Sequence, residues 1–506
     1  MNRTLDELPE AFVSHTAISA DVSRAVKAGT LRKLASRLYT KNLDDAPERI
    51  VRRNLWTIVA GYFPGALVAD RTAIEVGPAP DGSVCLVSAR GRTIELPGIV
   101  LRPRRGSGPI TSDMPFVEGL YLSSRTRAYL QNLRPSRTRG GRLPRTLPQA
   151  QIEETLDRLI RGSGESAVKQ LRDDARAVAA ELGLEKEAAR LDTLIGTLLG
   201  TRRSELDSPL ARARSRGNAY DPDRMDLFHK LHRALRDRPP RVRSAPDRDA
   251  QGRDTLAFFE AYFSNFVEGT EFLVEEAVRI VFEGEIPQRR PADARDVVGT
   301  WRLVSNPQEM ARTPRDPAEL TSLLRYRHRQ IMAGRPETRP GEFKDAPNKA
   351  GGTHFVLPDL VSGTLEQGFS LYQSLESPFE RAVYMMFLVA EVHPFADGNG
   401  RVARVMMNAE LVTAGEERIV IPTVFRNNYL AALRALSRTD RRPEPLIGML
   451  DYAQRWTLAV GWTSLPETQR ELEACHAFLD PDEADGEGKR LRMPVVTSDA
   501  RGPANG

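Results

Sequence analysis

Twelve consecutive residues, His393-Pro394-Phe395-Ala396-Asp397-Gly398-Asn399-Gly400-Arg401-Val402-Ala403-Arg404, bring together the groups that phosphoryl transfer needs. His393 is the one side chain among them that can take up a proton near neutral pH, which makes it the candidate general base. Asp397, four residues on, is a hard carboxylate suited to a Mg²⁺ ion bridging two phosphates of a nucleotide. Gly398 and Gly400 let the main chain approach phosphate oxygens closely. Arg401 and Arg404 stand three apart, so on a helix both can lean over one end and pair with phosphate oxygens. Phe395, between polar neighbours, is expected to anchor the loop in the core rather than touch substrate.

Two helices must hold this loop. The nine-residue apolar run AVYMMFLVA, bracketed by Arg381 and Glu391, predicts a buried central helix ending near Glu391 and too short to cross a bilayer. Val402, Val405, Met406 and Ala409 recur at helical spacing and predict a second helix starting around Arg401. The loop therefore lies at a helix N-terminus, where free N–H groups and the helix dipole attract anions. With roughly one chance in twenty per fixed position, this arrangement arises by coincidence with a probability on the order of 10⁻⁸.

The string resembles the signature of the Fic (fido) family, H-P-F-x-[DE]-G-N-G-R followed by x-x-R, and meets every fixed position. The resemblance implies a helical domain that transfers AMP from ATP to a Ser, Thr or Tyr hydroxyl of a target protein, the chain itself included. It implies that His393 deprotonates the hydroxyl and Asp397 holds Mg²⁺. Gly398, Asn399, Gly400 and Arg401 would bind the α and β phosphates, and Arg404 the γ-phosphate. Upstream, Ser264-Asn265-Phe266-Val267-Glu268-Gly269 matches the family's inhibitory pattern [ST]-x-x-x-E-[GN], on a helix expected at about 255–269 and continued by a helix-like sequel from Thr270 to Glu276. Glu268 would then pair with Arg404 and hold the enzyme off, with Ser264 and Gly269 framing it. Residues 341–358, with Gly351-Gly352 as a turn, fall where the family has a hairpin flap, and His354 reads as a surface histidine. Tyr429, after Asn428, falls at the family's adenine pocket. Two rival readings stay open: removal of AMP from modified targets, with Glu268 positioning a water, and a DNA-binding regulator whose Fic-like part senses nucleotide without transfer.

The rest of the chain points elsewhere. At 506 residues and 40% hydrophobic content it supports two or three packed domains. Cys85 and Cys475 have no partners at metal-ligand spacing, which fits a reducing cytoplasm and no zinc site. No apolar run reaches membrane-span length and the start is not a signal peptide, so neither membrane association nor export is expected. Residues 1–250 carry 43 Lys and Arg against 31 Asp and Glu, a net +12, and residues 251–506 a net −7, which suggests different partners for the two halves.

Residues 1–50 read as short helices followed by a hairpin over Leu31–Thr40, the order of a winged helix; the alternative is a small helical cap. In a winged helix, Ser19, Ser23, Arg24 and Lys27 would face a DNA major groove, and Arg32, Lys33 and Arg37 would reach phosphates. Residues 51–200 predict a small α/β region followed by amphipathic helices, with strand-like runs at 83–88 and 93–96. The stretch 101–146 holds 10 basic and 2 acidic residues, either a nucleic-acid contact or a solvated basic loop. The SRAVKAGTLRKLASRLYT, VRRNLWTIVAGYFPGALVADRTA and GLYLSSRTRAYLQNLRPSR segments resemble AbiEi-type antitoxins, which implies DNA binding. Residues 201–254 are expected to be a helical connector and polar linker, 255–465 the Fic domain, and 466–506 a tail disordered from about 478. The expected fold is thus multidomain: a mainly α-helical Fic fold in the C-terminal half, a winged helix plus a small α/β domain in the N-terminal half. A homodimer is compatible with it.

Overall fold

The computed structural model describes residues 5, 7–138, 140–438 and 440–494. The chain divides into two compact units, Met1–Gly217 and Asn218–Gly506.

The first unit opens with a three-stranded antiparallel sheet in the order Ala11–Val13, Leu38–Thr40, Arg32–Ala35, over the helix Ser19–Lys27. Phe12, Ile18, Val22 and Leu31 fill the space between them. The helix and hairpin stand where the sequence puts them. Ahead of Ser19 the described residues hold a helical Leu5, the strand Ala11–Val13 and a 3₁₀ turn, Thr16–Ile18, while residues 1–4 and 6 lie outside the described residues. A six-stranded mixed sheet follows, in the order Ile94–Leu96, Ile99–Arg104, Ser83–Val87, Leu67–Val68, Tyr121–Leu122, Met114–Pro115. Its central strand Ser83–Val87 is buried throughout, as a strand covered on both faces must be. The helices Gln149–Leu182, broken at Gly164 (φ 76°), and Glu185–Leu198 close a separate core around Leu156, Leu171, Leu191 and Ile195.

Four of the arginines of 101–146 are engaged within the fold, whereas Arg105, Arg125, Arg134 and Arg137 are exposed. Arg104 and Arg145 grip Asp70, Arg127 grips Asp113 in a buried pair, and Arg102 donates to Ser83 and to the Leu143 carbonyl. Folding spends these charges on carboxylates and carbonyls that lie far off in sequence. Arg139 lies outside the described residues.

The second unit is helical, and at its centre Pro378–Val392 lies against Asn399–Thr413. The apolar run of the first and the Val402, Met406 and Ala409 face of the second meet in one core with Phe228, Leu303 and Leu324. The predicted connector belongs here: helix Pro222–Arg236 buries Leu227, Phe228, Leu231 and Leu235 in that core. Nor is the Arg-rich linker free. Arg243 donates to Asp451 and Gln454, both at 2.7 Å, and Arg248 pairs with Glu417. The predicted disordered tail is also corrected as far as it is described. Helices Leu465–Ala474 and Pro481–Glu487 place Leu472, Cys475, Ala477, Ala484 and Leu491 in a second core with Phe258, Phe259 and Phe263. Residues 495–506 of the tail lie outside the described residues. Among the described residues no helix is long and apolar enough to cross a membrane.

Candidate active site

Pro378 opens its helix at the first turn, where a missing N–H costs nothing, and the helix ends as His393 turns to a left-handed φ of 53°. A histidine in that conformation costs roughly 1 kcal/mol or more, held by the surrounding structure. Its Nδ1 lies 3.2 Å from the Ala390 carbonyl. A carbonyl only accepts, so Nδ1 carries the proton and Nε2 keeps its lone pair. The ring stacks on Phe355 with centroids 3.7 Å apart and planes at 4°. Burial pulls the imidazole pKa down to about 4, with the Ala390 carbonyl acting in the opposite sense. The ring is therefore neutral, in its base form, at pH 7.

The loop that follows is braced internally. Phe395 is fully buried and stacks on His328 at 3.8 Å. Asn399 accepts from the Phe395 N–H at 2.8 Å and donates back to the Phe395 carbonyl at 2.9 Å. Both ends of the Asn399 amide are used within the loop, which leaves its main-chain N–H as the group that can meet an anion. His328, unmarked in the sequence, accepts the Gly341 N–H at Nδ1 (2.8 Å) and places Nε2 3.0 Å from the Asp397 carbonyl. Gly398 is the N-cap of the second helix at φ 76°, and a β-carbon there would press on Met332 Sδ at 2.6 Å.

Helix Ala250–Val267 starts on Asp249, whose carboxylate accepts the Gly252 N–H at 2.7 Å. It ends one residue before Glu268, because Gly269 takes φ 87° and turns the chain out. Thr270–Leu273 is not helical, as the sequence had suggested; the next helix is Val274–Val278. The result delivers Glu268 Oε1 to Arg404 Nη2 at 2.7 Å. Arg404 Nε and Nη2 are further held by the hydroxyl and carbonyl of Ser264, at 2.9 and 2.7 Å. The Glu268 carboxylate also lies against Gly400, where any added β-carbon would collide with it. An acid thus stands at the helix N-terminus, where orphan N–H groups favour an anion.

Arg401 points away from this pair. Its Nη1 donates to Asp296 at 2.6 Å, its Nε is buried without a partner, and Asp296 is also gripped by Arg335 at 2.7 Å. Asp397 is half exposed; one oxygen accepts the Gly398 N–H at 2.7 Å and the other lies 3.8 Å from Arg401 Nη2. Among the described residues no three acids, histidines or cysteines gather as a metal cage. A single open carboxylate does fit a Mg²⁺ that takes its other ligands from phosphate oxygens and water.

His393, Glu268, Gly400, Arg404 and Tyr429 line one cleft of about 500 Å³. Tyr429 is 1% exposed, with its hydroxyl 3.3 Å from Met386 Sδ and its ring 5.9 Å from the Arg404 guanidinium, so it backs the Glu268–Arg404 pair. The hairpin Lys349–Ala350 with Thr353–His354 covers the cleft, Gly351 and Gly352 forming its turn and His354 exposed. Arg438 clamps it through Thr353 Oγ1 at 2.6 Å and the Ala350 carbonyl at 3.2 Å. Phe355, Asp296, Arg335 and His328 were missed in the sequence. Phe355 directly follows the flap strand, the one local signal; the others act across the fold and leave none.

In the first unit, Ser23, Arg24, Lys27 and Lys33 are exposed. Arg32, half-buried, donates to the Leu43 and Asp45 carbonyls at 3.3 and 3.2 Å, and Arg37, exposed, to the Ser14 carbonyl at 3.0 Å.

Residues 319–411 match the Fic/DOC family. A protein adenylyltransferase Fic of Drosophila persimilis is 26% identical over 200 residues, 36% of this chain and 38% of that protein. The protein adenylyltransferase fic-1 of Caenorhabditis briggsae is 29% identical over 123 residues, 23% and 24% of the two chains. The chain thus spans well under half the length of the curated relatives it matches. A solved Fic-domain-containing signaling protein of Bacteroides thetaiotaomicron is 18% identical, with 54% of this chain and all of that one covered at a TM-score of 0.36.

Proposed function

We propose, from the Fic/DOC match of residues 319–411, that the chain transfers AMP from ATP to a hydroxyl side chain of a protein and rests in an inhibited state. The observation that carries this reading is the shared cleft: a neutral His393 with an open Nε2 beside an Arg404 whose guanidinium is occupied by Glu268. The matched relatives are named protein adenylyltransferases, which supports it.

With Glu268 withdrawn, Arg404 and the free N–H groups at the start of helix Asn399–Thr413 accept the triphosphate. Asp397 would hold a Mg²⁺, which would neutralise phosphate charge when bound. The flap edge presents a target segment by main-chain bonds, placing its hydroxyl near His393. Nε2 takes the hydroxyl proton as the oxygen bonds the α-phosphorus; the bond from that phosphorus to the bridging oxygen breaks and pyrophosphate leaves. The two free cysteines, both buried, suit a cytoplasmic setting. In the first unit, the exposed face of Ser23, Arg24 and Lys27, with Lys33 on the hairpin, supports a winged helix that binds DNA.

The test is incorporation of label from α-labelled ATP in cell extract with added Mg²⁺. Glu268→Gly is expected to raise incorporation above the parent, and His393→Ala to abolish it in either background. Equal labelling of parent and Glu268→Gly sinks the inhibitory reading. Faster loss of label from pre-modified protein with Glu268 intact favours the removal reaction instead.

A further inference from the structure

We propose that a second cleft, in the first unit and independent of the transfer reading, binds a phosphate-bearing small molecule of about mononucleotide size. It measures about 460 Å³ and is lined by Arg104, Arg105, Arg127, Arg134 and Arg145, with Asp70 the one carboxylate among its lining residues. That volume is in the range of small-molecule sites.

Asp70 is 3% exposed and sits at φ 55°, a left-handed conformation that an aspartate reaches only at a cost. Its two oxygens hold Arg104, through Nε and Nη2 at 3.0 and 2.7 Å, and Arg145, through Nε at 2.9 Å. One carboxylate therefore fixes two guanidiniums and leaves a surplus positive charge. Arg127 is 1% exposed; it pairs with Asp113 and donates to the Ser107 and Gly108 carbonyls, yet its Nε is buried with no acceptor among the described residues. The loop after the strand Ile99–Arg104 crosses these groups closely: a β-carbon on Gly106 would stand 2.7 Å from Arg104 Nη1. Two more cations are exposed. Arg105 makes no ion pair or side-chain hydrogen bond among the described residues, and Arg134, 72% exposed on its side chain, has Glu187 at 3.8 Å.

A concave site with one sign of charge focuses its field on an anion, and guanidinium forks match phosphate oxygens. Strain at Asp70 and a desolvated, unmatched Arg127 donor are the marks of a site organised for a ligand rather than for stability. The five arginines converge on one concavity instead of running along a stripe, which favours a compact phosphate over a nucleic-acid backbone. Pro135, Leu182 and Leu184 add an apolar wall for a flat organic group beside the phosphate.

The test is calorimetric titration of the full chain carrying Arg404→Ala, so that the other cleft does not report, with AMP, inorganic pyrophosphate and inorganic phosphate as probes. AMP or pyrophosphate is expected to bind one per chain. Arg105→Ala with Arg134→Ala, both on exposed residues that anchor nothing, is expected to weaken binding about tenfold or more without changing the melting temperature. Equal affinity in that variant, or no heat with any probe, overturns the proposal. A 5′-phosphorylated oligonucleotide bound more tightly than its 5′-hydroxyl form assigns the phosphate to a strand end, and preference for AMP assigns it to free nucleotide. Indifference to the terminal phosphate, with AMP inert, overturns the pocket in favour of a backbone surface.

Discussion

At His393 the proton-accepting power and the position of the base have different physical origins. Position comes from the left-handed turn at the helix end and the Phe355 stack, and the base form from burial, which pulls the pKa to about 4. The acid limb of transfer by the Glu268→Gly chain is therefore expected well below the ordinary histidine value near 6.5, close to pH 4 to 5. A rate profile falling away at 6.5 contradicts it. His328, also pulled down to about 4 by burial, gives the matching stability statement. Its folded pKa lies below the unfolded one, so the contribution is complete above pH 6.5 and is lost as pH falls toward 4. On the proposed reading, Gly400 separates inhibition from catalysis. A methyl there collides with the Glu268 carboxylate, which breaks the inhibitory contact, but it also fills the space where phosphate oxygens meet the main chain. Gly400→Ala is thus expected to show no gain of labelling, and to remove the gain when added to Glu268→Gly. Labelling equal to Glu268→Gly alone places the phosphates elsewhere.

The proposed inhibition depends on an element as much as on a carboxylate, since Glu268 is carried one residue beyond helix Ala250–Val267. That helix is clamped from outside by the C-terminal helices. Phe478 lies 5.2 Å from Phe263 and 6.0 Å from Phe259, and Leu472 and Ala484 share their core. Phe478→Ala, costing up to about 3 kcal/mol of local packing, is expected to loosen the helix and raise AMP incorporation in the parent. It should add nothing to Glu268→Gly, and additive gains would mean that the clamp acts by another route. The sequence reading took this segment for a disordered tail, and the reason is physical. DPDEADGEGKRLRMP has too few apolar residues to form a core alone, and its contribution appears only against the aromatic face of a helix some 210 residues earlier. The same holds for the Arg243 strap, whose partner Asp451 lies 208 residues away. The catalytic loop was legible because its chemistry is contiguous: base, glycines and arginines follow each other within a single turn and helix start. What type and spacing do not reveal is that the Asn399 amide closes its own loop, onto the Phe395 N–H and carbonyl.

Across the whole chain, helices and sheets organise into two units whose cores are built from different residues, one around Leu156 and Leu191, the other around Phe228 and Leu324. The division after Gly217 keeps the charge contrast that the sequence displays, with 35 Lys and Arg against 25 Asp and Glu before it. A boundary at 254 is what the polar stretch 238–254 suggests, but helix Pro222–Arg236 buries its apolar face in the Phe228–Leu324 core of the second unit and moves the boundary back. Each core is large enough to melt cooperatively by itself. Leu191 and Leu324 are both fully buried, and truncating either to Ala costs about 2–5 kcal/mol. For units of this size that corresponds to a fall on the order of 10 °C. Calorimetry of the full chain is therefore expected to show two transitions, with Leu191→Ala lowering one and Leu324→Ala the other. ATP, acting on the second unit in the Glu268→Gly background, should raise only the transition that Leu324→Ala lowers. A single transition shifted by both substitutions would mean that the units fold as one cooperative body, and that signals at one reach the other through stability itself.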